Sequence, residues 1–67
     1  MDYSPKRLIK LLEERGWTLD RITGSHHIYK QVDTKQTVPI PVHGSRDLGK
    51  GLFLKILKDA GIDKSNV

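Results

Sequence analysis

The stretch WTLDRITGSHHIYKQV, residues 17–32, decides the fold. Trp17, Leu19 and Ile22 are the apolar positions of a strand ending at Thr23, and Gly24-Ser25 supplies a tight reversal. From His26 to Val32 the chain alternates. His26, Ile28, Lys30 and Val32 share one side, and His27, Tyr29 and Gln31 share the other. Two strands joined by so short a turn make an antiparallel hairpin. Asp33 to Gln36 has polar turn chemistry. Thr37 to Val42 then alternates again, with Val38, Ile40 and Val42 inward and Thr37, Pro39 and Pro41 outward. Prolines at alternate positions remove backbone donors, so this third strand belongs at a sheet edge.

Upstream of the hairpin, Ser4 can cap a helix whose first position is Pro5, where a missing N–H costs nothing. Leu8, Ile9, Leu11 and Leu12 form its apolar stripe, and Gly16 is a left-handed stop onto which Trp17 folds back. The spacing predicts a helix from about Pro5 to Arg15. Its charges oppose the helix dipole: Lys6 and Arg7 in the first turn, Glu13 and Glu14 in the last. Each misplacement costs a few tenths of a kcal/mol. A basic end facing RNA would explain the pattern, but neutral surface drift is the preferred account.

Downstream, His43 to Gly51 is a glycine-containing loop. Leu52, Phe53, Ile56, Leu57 and Ala60 predict a second helix over Leu52 to Ala60, with Gly51 as its N-cap. Gly61 ends it and Ile62 can close a Schellman-type cap; Asp63 to Val67 is expected to fray. The expectation is an α+β fold in the order α-β-β-β-α. Its three-stranded antiparallel sheet carries both helices on one face, and residues 1–67 form one domain.

Composition bounds what such a domain can be. Sixty-seven residues bury only about 60% of the surface of the unfolded chain, so the core is thin. There is no cysteine, which excludes disulfides and thiolate zinc sites and fits a reducing cytosol. No stretch has signal-peptide character or approaches the ~20 apolar residues of a membrane span, so a soluble cytoplasmic protein with no membrane partner is expected. Twelve Lys+Arg against eight Asp+Glu give a net charge of +4. That balance favours a polyanionic partner about as much as it reflects simple solubility.

Gly24-Ser25-His26-His27-Ile28-Tyr29 is the stretch that can carry chemistry. A histidine at the start of a strand, after a Gly-Ser turn, is held rigidly yet stays reachable. Imidazole exchanges protons near neutral pH. Metal-free RNA cleavage needs such groups: a base for the 2′-hydroxyl, an acid for the leaving 5′-oxygen, and cations for the phosphorane charge. Small residues at Gly24 and Ser25 would let a phosphate approach the backbone. Taken alone, His26 reads as a strand-end histidine satisfied by a backbone bond, and His27 as an exposed sheet residue. Adjacent strand residues point to opposite faces, so the pair cannot easily chelate one ion, and no Cys or Asp/Glu cluster accompanies it. No metal site or cofactor is expected.

Lys30, Arg46, Lys50 and Lys55 are candidate phosphate contacts. Gly49-Lys50-Gly51 could present a helix N-terminus to a phosphate. It lacks the spacing and trailing Lys-Ser/Thr of a nucleotide-binding loop, which argues against ATP or GTP, and an ordinary loop is an equal reading. His43 could approach from the neighbouring strand, though a plain loop histidine is the commoner case.

As a whole the chain resembles the HicA family of messenger-RNA interferases. The resemblance rests on Glu14-Arg15-Gly16-Trp17, on Gly24-Ser25-His26-His27-Ile28-Tyr29, on Val38-Pro39-Ile40-Pro41-Val42-His43-Gly44 and on Ile56-Leu57-Lys58-Asp59-Ala60-Gly61-Ile62, in order and over nearly the full length. It implies a fold similar to double-stranded-RNA-binding domains. It also implies metal-independent cleavage of messenger RNA that arrests translation, and neutralisation by a HicB-type antitoxin covering the site. The family's essential histidine follows Gly-Ser directly and falls on His26, with its turn glycine at Gly24. Some relatives carry only a histidine one place later, which keeps His27 as a competitor. The second catalytic group stays open among His27, Tyr29, His43 and Lys30. A departure lies before the last helix. Relatives often have Pro and then Gly-Thr there, where this chain has Gly49, Gly51 and Leu52. The alternative reading is a non-catalytic RNA-binding module.

Overall fold

Ser4 starts the first helix as its position predicts: its Oγ accepts the Arg7 N–H at 3.2 Å, while the Asp2 carboxylate accepts the Ser4 N–H at 2.8 Å. The computed structural model describes residues 2–44 and 46–63, so most of the expected C-terminal fraying falls outside the described residues. Helix α1 spans Pro5–Glu13, two residues short of the expected end. The Arg15 N–H turns back to Leu12 O at 3.0 Å and the Gly16 N–H to Glu13 O at 3.2 Å, tightening the chain out of the helix. Gly16 sits at φ +87°, a conformation that favours glycine, and delivers Trp17 into the core.

Strands β1 (Trp17–Thr23), β2 (His26–Gln31) and β3 (Thr37–Pro41) form an antiparallel sheet in the order β1-β2-β3. The proline-bearing β3 is therefore at an edge, as expected. Strand β2 stops before Val32 because the Gln31 N–H donates to Gln36 O and the Lys35 N–H to Gln31 O, both at 2.8 Å, with Lys35 at φ +60°. Beyond β3, the Val42 N–H still donates to Ser25 O at 2.7 Å, anchoring the Gly24–Ser25 turn.

Helix α2 spans Lys50–Asp59, and its N-cap is Gly49, not Gly51 as expected. The Asp47 carboxylate accepts the Gly49 N–H at 2.6 Å, and Gly49 takes φ +83°. That turn allows the helix to begin two residues early, with Gly51 inside it. Its C-terminus is the expected Schellman cap. The Ile62 N–H reaches Leu57 O at 2.9 Å, the Gly61 N–H reaches Lys58 O at 3.0 Å, and Ile62 is buried.

One core gathers Leu8 and Leu12 of α1, Trp17, Tyr29, Val38 and Ile40 of the strands, and Phe53, Ile56 and Leu57 of α2. The buried strand residues all belong to one face, so both helices cover that face and leave the other open. Tyr3 meets Phe53 edge-on at 5.3 Å, and the Arg7 guanidinium lies over the same ring at 5.3 Å, pinning the start of α1 to α2. This α+β arrangement is compatible with the implied likeness to double-stranded-RNA-binding domains. Among the described residues no helix is long and apolar enough to cross a membrane.

Candidate functional site

The chain's course brings distant segments to one end of the molecule. Strand β1 runs toward the Gly24–Ser25 turn, β2 leaves it and β3 returns beside it. Leu48, after β3, donates its N–H to Tyr3 O at 3.0 Å, so α1 and α2 both begin at this end. The opposite end is fixed by the Gln36 side chain, which donates to Asp59 O at 2.8 Å. The turn end therefore carries His26, His27 and His43 together with Lys6, Arg7, Arg46 and Lys50. The reversed charges of α1 follow the same axis, basic at the turn end and acidic away from it.

Within the sheet, the register separates the two neighbouring histidines. His27 lies opposite Ile40 and Ile22 on the helix-covered side and is half-buried. His26 lies opposite Thr23 and Pro41 on the open side and is exposed. The rest of the open side is polar around a small apolar centre: Ile28 between Arg21 and Pro39, then Lys30 between Thr18 and Thr37. The Asp20 carboxylate, in β1 next to Arg21, is paired with that residue's guanidinium.

Gly24 adopts φ +59°, and a Cβ built there would meet nothing within 4 Å, so the space beside the turn is open. Exposed His43 leaves the sheet at the same end. Tyr29 is placed elsewhere: it is 5% exposed, and burial, reinforced by the charge of Glu13, pushes its hydroxyl above the ordinary value of 10.0. It belongs to the core.

The predicted cations divide. Lys30 shares the open side with His26, and Arg46 lies in the exposed loop at the turn end. Lys50 opens α2 there, and its N–H end of the helix is unoccupied by any side-chain cap. Lys55 is on the helical layer, across the sheet from His26. Arg21, which the sequence reading did not single out, lies on the His26 side. The signal for it was the apolar spacing Trp17, Leu19, Ile22, which departs from strict alternation. A shallow groove beside α1, lined by Lys6, Ile9, Lys10, Val42 and Gly44 among others, includes neither strand histidine. Among the described residues, no three His, Cys, Asp or Glu side chains converge as a metal site would require.

Comparison with known families matches residues 5–62 to the model described as the HicA toxin of bacterial toxin–antitoxin systems. No curated protein matches the chain.

Proposed function

Since the chain belongs to the HicA toxin family, and so is the toxin of a toxin–antitoxin pair, we propose that it is a metal-independent endoribonuclease acting on messenger RNA, with His26 as its acid–base residue. One observation carries this reading. His26 and Lys30 stand on the same strand and the same uncovered face of the sheet, beside a turn with open space around Gly24. RNA laid on that face brings a 2′-hydroxyl or a leaving 5′-oxygen within reach of an exposed imidazole, while Lys30 meets a neighbouring phosphate.

His27 would need the RNA on the helix-covered side, against Ile22 and Ile40, and no cation among the sheet residues flanks it there. His43, exposed at the same end, is the better placed partner for the second proton transfer. Ser25 supports the turn, its carbonyl accepting the Val42 N–H. Arg46 and Lys50 extend the basic surface past the turn. Lys55 requires the RNA to wrap round that end, so among alanine substitutions of Lys30, Arg46, Lys50 and Lys55 the last should weaken RNA binding least. A HicB-type antitoxin, covering the same face in the cytoplasm, completes the proposal, with residues 1–67 acting as one domain.

The test is cleavage of labelled messenger RNA in excess chelator by the unmutated protein and by His26→Ala and His27→Ala. Loss of about 10²–10⁴-fold in His26→Ala alone is expected. Loss in His27→Ala alone moves the site to the covered side. Binding without any cutting by the unmutated protein replaces the nuclease with an RNA-binding module.

A further inference from the structure

We propose that Arg21 is a substrate-phosphate contact of the site, carried onto the His26 face by a bulge at Asp20; this deepens the nuclease reading and rests on it. Leu19 pairs with Tyr29 and Arg21 pairs with Ile28, so β1 spends one more residue than β2 between these pairs. Under strict alternation from Trp17, position 21 would face the helices with Leu19. The extra residue reverses the parity and turns Arg21 outward, a re-aiming for which bulges are suited.

The result is a compact cationic corner. Arg21 is the diagonal neighbour of His26, two residues before its partner Thr23, at a backbone separation of ~7–8 Å. An arginine side chain carried on a backbone at that separation is long enough to reach the phosphodiester on which His26 acts, and its planar fork matches two phosphate oxygens. In the free protein the fork is held by the carboxylate of Asp20, with both side chains accessible to solvent. An exposed pair of this kind is weak. A phosphate can therefore displace Asp20, which acts as a competing anion for Arg21.

The two residues should consequently act in opposite directions. The experiment measures binding of a labelled single-stranded RNA to the non-cleaving His26→Ala protein across a salt series, with Arg21→Ala, Arg21→Lys or Asp20→Asn added. Arg21→Ala should weaken binding about tenfold at low salt and flatten the log–log salt slope by ~0.7. Arg21→Lys should keep the slope and lose part of the affinity. Asp20→Asn should tighten binding. Thermal midpoints close to the parent's ensure that binding, not folding, is read. Unchanged affinity and slope in Arg21→Ala, or Asp20→Asn moving the same way as Arg21→Ala, overturns the proposal. If the His26-containing protein still cuts RNA in that case, only the role of Arg21 falls. If it neither binds nor cuts RNA, the nuclease reading falls as well.

Discussion

Ile28 and Ile40 are the same residue on adjacent strands, and they live in different environments. Ile40 faces the helices and is fully buried; Ile28 faces the open side and is half-buried between Arg21 and Pro39. The contrast extends along both strands. On the covered side Trp17, Tyr29, Val38 and Ile40 hold α1 and α2. On the open side lie His26, Lys30, Arg21 and threonines. In a sheet covered on one side only, helix-facing and open-facing positions alternate along β2 and β3, and the histidines of a single dipeptide fall on opposite sides of that division.

The largest test of this contrast is Ile40→Ala, which should cost about 2–5 kcal/mol. That is much of the stability of a domain this small, at roughly 0.05–0.15 kcal/mol per residue, and a urea titration would show it. Ile28→Ala should cost about 1 kcal/mol by the same measurement, since only part of its side chain leaves water. Equal losses would mean that the open side contributes to the core after all. The histidines sharpen the comparison at smaller scale. His26→Ala should leave stability within about 0.5 kcal/mol, while His27→Ala should cost more because it uncovers Ile40. The reverse ranking would contradict the register.

Tyr29→Phe gives the smallest effect and works through pH. The folded-state hydroxyl titrates above the unfolded value of 10.0, so the native state binds more protons once pH passes that value. Stability should therefore fall as pH rises through 10.0 and beyond, with the Tyr29 contribution absent from the phenylalanine variant. Thermal midpoints from about pH 9 to about 11 would show the difference. Parallel profiles for the two proteins would place Tyr29 outside the buried layer.

The order of elements was legible because each carried its own local signal: Ser4-Pro5 for the first helix, Gly24-Ser25 for the hairpin, the prolines of β3 for an edge, Gly61-Ile62 for the final cap. Element ends were less legible. The start of α2 depends on a side-chain bond from Asp47 and on the left-handed Gly49, neither of which hydrophobic spacing reports. His26 and Lys30 could be placed on one side from alternation alone. Whether that side was open could not, because it depends on where the helices pack. Arg21 was hidden for a related reason: one inserted residue reverses facing for everything after it, and only the offset of Ile22 betrayed it. The division of Lys30 from Lys55 likewise follows from tertiary packing.

Both helices begin at the turn end, and this has a consequence for how partners arrive. Lys6, Arg7, Arg46 and Lys50 outnumber Asp2 and Asp47 there, beside the positive poles of two helix dipoles, while at the other end Glu13, Glu14, Asp33 and Asp59 slightly outnumber Arg15, Lys35 and Lys58. The charge is thus unevenly spread, with its positive excess at the turn end. If RNA is the partner, as proposed, this excess should favour first contact at the turn end. Association should accordingly be fast in dilute salt. It should slow as the Debye length shrinks below the size of the domain, to about 10 Å at 0.1 M.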